Sequence, residues 1–265
     1  MLIAERHTRL KELIARRGMC DLKSLSSELD VSHSTIRRDL EVLEQEGLVK
    51  QTHGGVIWVA QRTGANGGAG TSGGGASPYA FDQRKSFQLD AKRQIARAAR
   101  ELVQPGETIL IDGGTTTFFL AEELLGRRLQ LVTNSLPIAN LFLNDDNVEL
   151  ILTGGLMYPR YGVLLGPGAE NMLATIHTKT LFLSVAGVHD GMLYNQNLLL
   201  VQSERRMMEQ AQQVVLLADA TKFAQQALAQ LGRLDEVDVV VTDSQLPEEH
   251  RTQIRAAGCE LIVAK

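Results

Sequence analysis

The sequence predicts a two-domain α/β protein in which a small domain of helices and a β-hairpin precedes a larger domain with a largely parallel β-sheet. The chain has 265 residues, a length that suits one small and one medium-sized domain. A glycine-rich stretch separates the two parts. Beyond it, continuous apolar runs that are typical of buried strands alternate with helical segments. The predicted ranges are 1–60 for the first domain, 61–79 for a linker and 80–265 for the second domain.

The composition excludes a membrane-spanning or disulfide-rich protein. Apolar residues make up 44% and charged residues 22% of the chain, and the formal net charge is −4. A mildly acidic total argues only weakly against nucleic-acid binding, because the position of the basic residues matters more. No apolar run approaches the roughly 20 residues that a transmembrane helix needs. Cys20 and Cys259 lack metal-ligand or disulfide spacing. We therefore expect a cytoplasmic protein with buried free thiols and no cofactor, metal site or membrane partner.

Leucine and isoleucine recur at helical spacing in three segments of the first domain. The first helix ends at Gly18, the second precedes a turn at Asp30-Val31-Ser32, and the third ends at Gly47. Ser32 is expected to cap the third helix. The apolar positions of the three segments are Ile3, Leu10, Leu13 and Ile14; Leu22, Leu25 and Leu29; and Ile36, Leu40 and Leu43.

Two β-like runs follow the third helix, Leu48-Val49 and Val56–Val59, and Gly54-Gly55 lets the chain turn between them. Three helices and a hairpin predict a winged helix-turn-helix, whose third helix enters the major groove of DNA. The polar residues at the exposed beginning of that helix are Ser34, Thr35, Arg37 and Arg38. An arginine there can contact guanine or neutralise phosphate. The alternative is a solvated basic face on an ordinary surface helix.

A longer motif favours the DNA-binding interpretation. The stretch Ser26–Val56 closely resembles the DNA-binding signature of the DeoR family of bacterial sugar-operon regulators. The family core V-S-x-x-T-I-R-R-D-L is present as Val31–Leu40. The family's wing sequence R-T-H-G-G-A corresponds to Gln51–Val56, where Gln51 replaces the arginine and Lys50 lies one place earlier. The DNA-binding residues that the resemblance implies are Ser32, Ser34, Thr35, Arg37, Arg38, Lys50 and His53.

Residues 62–78 read RTGANGGAGTSGGGASP and contain no apolar residue larger than alanine. This composition predicts a flexible linker with nothing to bury. A formal G-x-G-x-x-G match at Gly68–Gly73 does not predict a dinucleotide site, because it lacks the strand-to-helix turn that such a site needs.

The second domain contains seven predicted strands with helices between them. The predicted strands are Thr108–Ile111, Leu129–Val132, Val148–Leu152, Thr180–Val185, Val214–Ala218, Val237–Val241 and Leu261–Val263. The predicted helices include Lys92–Val103, Thr116–Leu125 and Ser203–Gln212. Such an alternation predicts a largely parallel sheet, in which ligands bind beyond the carboxyl ends of the strands.

The strongest candidate site is Ile111–Thr117, which follows a predicted strand and opens a predicted helix. Glycines let the backbone approach a ligand, and free N–H groups at a helix start attract an anion. Threonine hydroxyls add further donors, so the chemistry suits a phosphate. The candidate residues are Asp112, Gly113, Gly114, Thr115, Thr116 and Thr117. The alternative is an ordinary turn in which a threonine caps the helix.

Small polar residues follow four further strands and are expected at the same edge of the sheet. They are Thr133-Asn134-Ser135, Thr153-Gly154-Gly155, Ala186-Gly187 and Asp219–Lys222. Each segment alone is an ordinary strand-to-loop turn, and Lys222 alone is an ordinary surface lysine. Their repetition at four strand ends favours a shared ligand site.

These elements resemble the C-terminal sensor domain of the DeoR family, which is similar in fold to ribose-5-phosphate isomerase. The matching motifs are K-x-x-I-A at Lys92–Ala96, D-x-G-T-T at Asp112–Thr116, T-N-S at Thr133–Ser135, G-G at Gly154-Gly155 and D-x-[ST]-K-F at Asp219–Phe223. The resemblance implies a small phosphorylated sugar or polyol as effector, with Asn134, Gly154, Gly155 and Lys222 among its ligands. The segment Asn197–Val201 departs from the family pattern, since it lacks the acidic residue that many relatives carry.

The sequence therefore predicts a DNA-binding transcription regulator, a repressor of a sugar-metabolism operon that an effector releases from operator DNA. A palindromic or repeated operator would favour a homodimer or homotetramer, which is the assembly that we expect. One alternative is a sugar-phosphate isomerase with an accessory head, in which Asp112, Asp219 and Lys222 serve acid-base roles. No histidine or carboxylate pair is spaced for obvious catalysis, so we assign no catalytic residue. A weaker alternative is an architectural DNA-binding protein, which needs no phosphate loop.

Overall fold

The computed structural model describes residues 6–7, 9–11, 13–14, 19–29, 31–45, 48–52, 55–58 and 81–265. The chain divides into two units, residues 1–78 and 79–265, which are described separately below. The predicted linker at 62–78, the predicted DNA-binding residue His53 and the turn residue Gly54 lie outside the described residues.

The first unit packs its helices on a small antiparallel sheet. Helical residues 6–7, 9–11 and 13–14 precede helices α1 (Leu22–Leu29) and α2 (His33–Gln45). The sheet has the order β1-β3-β2, and its strands are β1 (Met19–Asp21), β2 (Val49–Thr52) and β3 (Gly55–Trp58). The core consists of Leu10, Ile14, Cys20, Leu25, Leu29, Ile36, Leu40, Leu43, Val49 and Val56. Within the described residues, the predicted helical faces and hairpin strands are therefore confirmed, whereas β1 was not predicted. The predicted positions Ile3, Gly18, Gly47 and Val59 lie outside the described residues.

Seven parallel strands form the sheet of the second unit, in the order β15-β14-β12-β9-β4-β5-β6. They are β4 (Thr108–Ile111), β5 (Leu129–Thr133), β6 (Val148–Leu152), β9 (Thr178–Leu183), β12 (Ala211–Leu217), β14 (Val239–Thr242) and β15 (Glu260–Val263). All seven predicted strands are present, and the predicted α/β fold class is confirmed.

The sheet is buried on both faces. Successive residues of β4 contribute to different apolar clusters: Ile109 and Ile111 to one and Leu110 to the other. Successive side chains of a strand point to opposite faces, so the two clusters cover the two sides of the sheet. This arrangement explains why the sequence of β4 is a continuous apolar run.

The strand order reverses at β4, and this reversal positions the candidate site. β5 and β6 lie on one side of β4, whereas β9 lies on the other side and is followed outward by β12, β14 and β15. In open parallel sheets a crevice opens where the order reverses, beyond the carboxyl ends of the strands. Here that crevice lies after β4 and β9.

Helices connect these strands. They are α3 (Phe81–Ser86), α4 (Leu89–Arg100), α5 (Thr115–Glu123), α6 (Leu136–Leu141), α7 (Pro167–Leu173), α8 (Leu198–Glu209) and α9 (Glu248–Ala256). The predicted bounds of the helix at Ser203–Gln212 were wrong, because α8 begins five residues earlier. The Asn197 side chain accepts a 2.7 Å hydrogen bond from the Leu199 N–H and so caps an earlier start.

Short antiparallel elements were missed by the sequence analysis. A hairpin pairs β7 (Leu156–Tyr158) with β8 (Val163–Leu165). A second sheet, in the order β10-β11-β13, contains β10 (Gly187–His189), β11 (Met192–Asn195) and β13 (Ala229–Arg233). Strands of three to five residues are too short to show a clear alternation of apolar and polar residues.

Both cysteines are buried and form no disulfide, as predicted. None of the helices among the described residues is long and apolar enough to span a membrane.

Candidate functional site

Helix α2 has the two faces expected of a DNA-recognition helix. Ile36, Leu40 and Leu43 are fully buried on one face. Arg37 and Arg38 are exposed on the other, so their guanidinium groups are available to an external partner. The backbone of Lys50 lies in β2, next to this helix in the chain.

Three hydroxyl groups form a capping network at the start of α2. The Ser32 Oγ accepts a 3.2 Å hydrogen bond from the Thr35 N–H. It also lies 2.8 Å from the hydroxyls of both Ser34 and Thr35. Ser32 therefore caps α2 as predicted, and its network orients the first turn of the helix.

Asp39 anchors α2 from the buried side. The Arg6 Nη2 donates to its Oδ1 at 3.0 Å, and the His7 Nε2 lies 3.0 Å from the same oxygen. Burial raises the pKa of Asp39, but the hydrogen bonds from Arg6 and His7 outweigh burial and lower it below its usual range. This aspartate of the R-R-D-L motif therefore has a structural role.

The segment after β4 forms a tight junction with α5. The Thr117 hydroxyl accepts from the Gly114 N–H at 2.9 Å and donates to the Asp112 carbonyl at 2.7 Å. Thr117 is therefore used in holding the loop. In the described part of the chain, the hydroxyls of Thr115 and Thr116 have no such partner, and the first N–H groups of α5 are also unpaired. These groups can bind an anion.

Gly113 and Gly114 are required by close packing. A Cβ on Gly114 would lie 1.7 Å from the Ser184 Oγ, and one on Gly113 would lie 2.1 Å from the Val163 Cγ1. The backbone after β4 thus lies directly against the ends of β9 and β8. A larger residue at either position requires the Val163 or Ser184 side chain, or the loop itself, to shift.

Asp112 is buried at the crevice between β4 and β9. The Ser184 hydroxyl donates to its Oδ2 at 3.0 Å, and the Ser184 N–H does so at 3.4 Å. Burial raises the pKa of Asp112 to about 6, although these hydrogen bonds and the charge of Arg84 act in the opposite direction. Ser184 was not predicted as a site residue, because its role depends on the pairing of β4 with β9.

Asn134 joins the same crevice from β5. Its Nδ2 lies 3.5 Å from the Leu164 carbonyl, and its Oδ1 is only 3.3 Å from the position of a Cβ on Gly113. That Oδ1 is buried and has no partner among the described residues. Gly154 and Gly155 follow β6, one strand further out, where a Cβ on Gly155 would lie 2.7 Å from the Leu165 carbonyl. Gly155 thus packs against the β7–β8 hairpin.

Lys222 lies beyond β12, in a short 3-10 helix at Ala220–Lys222. The Asp219 Oδ1 caps this helix by accepting from the Thr221 N–H at 3.0 Å. The other carboxylate oxygen of Asp219 is buried and without a partner in the described ranges. Lys222 is half-buried and close enough to Lys92 to lower the pKa of that lysine.

Two cations that the sequence analysis did not assign to the site lie at the same edge. Lys92 on α4 is buried, and its Nζ donates to the Phe87 carbonyl at 2.6 Å. Burial lowers its pKa to about 8, against the opposing attraction of Asp219. Arg84 on α3 stacks 4.8 Å above the Tyr161 ring, and burial lowers its pKa as well. The sequence offered a signal for Lys92 as a site residue, since it begins the K-x-x-I-A motif. No sequence motif indicated Arg84.

Comparisons with known proteins match the chain to a DNA-binding domain followed by a sensor domain. Residues 6–62 match the DeoR-like helix-turn-helix domain, and residues 88–244 match the DeoR C-terminal sensor domain. The chain is 32% identical to the uncharacterized HTH-type transcriptional regulator YulB of Bacillus subtilis, over 93% of this chain and 91% of YulB. It is 29% identical to the HTH-type transcriptional regulator UlaR of Shigella dysenteriae, over 99% of both chains.

The chain is also similar to a solved isomerase structure. Ribose 5-phosphate isomerase A from Methanocaldococcus jannaschii matches with a TM-score of 0.38 and 18% identity, over 51% of this chain and 55% of that chain. A likeness at this level carries no argument about activity. The family models and the curated relatives, together with the exposed arginines of α2, establish that the chain belongs to the DeoR family of DNA-binding transcription regulators.

Proposed function

We propose that the protein is a repressor whose affinity for operator DNA falls when a small phosphorylated sugar or polyol binds at the carboxyl edge of the seven-stranded sheet. One observation carries this proposal. Of the nine buried side-chain polar atoms without a partner in the described part of the chain, five belong to residues around this crevice: Asn134 Oδ1, Asp219 Oδ2, Glu204 Oε2, and Arg84 Nε and Nη2. Such atoms are rare in folded proteins and each requires an explanation. A polar ligand that bonds to them supplies one.

The charges at this edge favour a phosphorylated ligand. Arg84 and Lys222 are each close enough to Lys92 to lower its pKa. A phosphate neutralises such a cluster and accepts hydrogen bonds from its cations. The unpaired N–H groups at the start of α5 add neutral donors. We therefore propose that these three cations and the loop Gly113–Thr116 bind the phosphate group of the effector.

The division into two units supports a switch. A ligand shifts an equilibrium only by its differential affinity for the two states. An effector bound in the second unit weakens operator binding if it prefers the conformation that binds DNA less tightly. We propose that the operator contacts are made by Arg37 and Arg38, with Ser32, Ser34, Thr35, Lys50 and His53 around them, and that the protein acts in the cytoplasm as a homodimer or homotetramer.

A thermal-shift screen of sugar phosphates and polyol phosphates tests the effector assignment. A ligand that binds only the folded state raises the melting temperature, and the stabilisation grows with the logarithm of its concentration above the dissociation constant. We expect at least one phosphorylated compound to raise it and its unphosphorylated form to do so much less. If no phosphorylated sugar or polyol raises the melting temperature, the assignment is wrong.

We further propose that the protein is not an enzyme, since both curated relatives are named transcriptional regulators. The competing function, a sugar-phosphate isomerase, would use the buried Asp112 as an acid or base. Incubation with pentose phosphates, followed by analysis of the products, distinguishes the two. Turnover of any pentose phosphate would show that the protein is an isomerase instead.

A further inference from the structure

Glu204 on α8 is a buried carboxylate with half of its hydrogen-bonding capacity unused. Its side chain is 2% exposed. The Asn195 Nδ2 donates to the Glu204 Oε1 at 2.6 Å. The Glu204 Oε2 is shielded from solvent and has no partner among the residues that the structure describes. Nothing in the fold therefore accounts for this second oxygen.

A second buried carboxyl group lies nearby. Burial raises the pKa of Glu204 well above its usual range, and repulsion by Asp112 raises it further. Asp112 in turn belongs to the crevice after β4, where the Ser184 hydroxyl binds its Oδ2. Two desolvated carboxyl groups close together destabilise the unliganded fold unless they are paired, and these two are not paired with each other by any described hydrogen bond.

The chemistry of these groups determines which part of a ligand fits them. A phosphate cannot, because its oxygens are also acceptors and carry the same sign of charge. A hydroxyl group fits, since it donates to one carboxyl oxygen and accepts from a protonated one. An ammonium group also donates, but burial raises the pKa of both carboxyl groups and so disfavours their charged forms, which reduces the need for a positively charged partner.

We propose that Glu204, together with Asp112, binds hydroxyl groups on the carbon chain of the effector and so determines which polyol phosphate the protein recognises. This inference rests on the proposed effector site. It divides that site into a cationic end for the phosphate, at Arg84, Lys92 and Lys222, and a carboxyl end for the hydroxyl groups. Glu204 is a specificity-determining residue that the sequence motifs did not indicate.

Two variants of Glu204 and a matched control test the inference in the full-length chain. E204M removes both carboxyl oxygens at similar volume and leaves the Asn195 Nδ2 without its acceptor. E204Q keeps one acceptor oxygen. E209M changes an exposed glutamate on the same helix and serves as the control. Melting temperatures establish that each variant is folded.

The binding measurements use three probes: inorganic phosphate, the sugar phosphate that binds wild type most tightly in the screen, and the monodeoxy analogues of that compound. We expect E204M to bind the sugar phosphate roughly ten- to hundredfold more weakly, the loss expected for a hydrogen bond to a charged or shared-proton group. Its affinity for inorganic phosphate should stay within about twofold of wild type, as should all affinities of E209M. Wild type should bind at least one monodeoxy analogue more weakly than the parent sugar phosphate, whereas E204M should bind the two equally well. The affinity of E204Q for the sugar phosphate should lie between those of wild type and E204M.

The outcomes separate this inference from the proposed function. If wild type binds neither inorganic phosphate nor any phosphorylated compound, the effector site itself is wrong. If wild type binds the sugar phosphate and E204M binds it equally well, only the role of Glu204 is wrong. Two further outcomes also overturn the assignment of hydroxyl recognition. One is an equal loss of affinity for inorganic phosphate in E204M, and the other is a preference of wild type for an amino-sugar phosphate over its hydroxyl counterpart.

Discussion

Burial disfavours the charged forms of two ionisable residues at the carboxyl edge of the sheet. The pKa of Lys92 falls to about 8 and that of Asp112 rises to about 6, in both cases chiefly because of burial. Each shift means that the folded chain destabilises the charged form relative to the unfolded chain. Such groups are expected where a ligand, and not the fold, supplies the compensating interactions.

Lys222→Met is expected to weaken effector binding without changing operator binding. The variant keeps most of the aliphatic stem but loses a charge that we assign to the phosphate. Loss of one charged hydrogen bond weakens binding by about 1.5–3 kcal/mol. Titration of the variant with the effector found in the screen, followed by calorimetry, measures this. Lys179→Met is the matched control, since Lys179 is exposed on β9 and pairs with Glu107.

An unchanged effector affinity in Lys222→Met would show that Lys222 is an ordinary surface lysine. The operator experiment adds a second criterion. Effector should no longer release the variant from operator at concentrations that release wild type, because release requires effector binding.

Asp112→Asn is expected to stabilise the second unit above about pH 6. The folded-state pKa of Asp112 is raised from 3.8 to about 6, so between these values the folded chain holds a proton that the unfolded chain has lost. The stabilisation that wild type gains from this proton is present below about pH 4 and is lost as pH rises towards 6. Asparagine carries no charge, so the variant should gain roughly 1–3 kcal/mol relative to wild type at pH 8, and little at pH 4.

Urea denaturation at several pH values measures this difference. The single tryptophan is Trp58, in the first unit, whereas all four tyrosines follow residue 78. Far-UV circular dichroism combined with Trp58 fluorescence therefore separates the unfolding of the two units. Equal stability of variant and wild type at pH 8 would contradict the account of Asp112 as a desolvated carboxylate.

The junction between β4 and α5 is the element that sets the backbone of the proposed effector site. Gly114→Ala places a methyl group within 1.7 Å of the Ser184 Oγ in the present geometry. The loop must shift, at a cost of roughly 1–3 kcal/mol in stability. We expect a lower melting temperature for the second unit and weaker binding of inorganic phosphate.

Gly168→Ala provides the comparison for Gly114→Ala, because its added Cβ would only reach ordinary contact, 3.4 Å from the Gly155 Cα. Gly168 lies in the first turn of α7, where alanine is tolerated. If both variants melt and bind phosphate like wild type, the close approach of β4 to β9 has no role in the site.

Helix α2 is the element that we assign to operator recognition. Replacing Arg37 or Arg38 by alanine should weaken operator binding by about 1–3 kcal/mol if that arginine contacts a base, and reduce the salt dependence if it contacts phosphate. Fluorescence-anisotropy titrations at two salt concentrations measure both effects. Arg255→Ala, an exposed arginine on α9, is the control. A double alanine variant with wild-type affinity would exclude this face of α2.

The elements differ in how far the sequence could predict them. The apolar run of β4 gave its bounds without error, since a strand buried on both faces leaves a continuous signal. The bounds of β6 were also predicted without error, although it is an edge strand whose residues are mostly half-buried. The start of α8 was placed five residues late, because the Asn197 cap precedes a leucine-rich turn that is partly exposed. Strand β1 was missed because its pairing with β3 depends on residues more than 30 positions away.

At the scale of the whole molecule, the sequence motifs predicted the residues of the candidate site that follow strands, but they did not predict all of its charged residues. Asp112, Asn134 and Lys222 follow strands and share one edge by the logic of a parallel sheet. Arg84 and Glu204 lie 120 residues apart in the chain, on α3 and α8, and each affects Asp112. Only the folded arrangement places them at that edge, so no local pattern could identify them.

We propose that ligand binding in the second unit reduces DNA binding by the first. Operator titrations of the full chain, with and without a saturating concentration of the sugar phosphate that binds most tightly in the screen, test it directly. We predict that the operator dissociation constant rises by at least about tenfold, which corresponds to a coupling free energy of roughly 1.4 kcal/mol or more. An operator affinity that is unchanged by saturating effector, or that increases, would contradict the account.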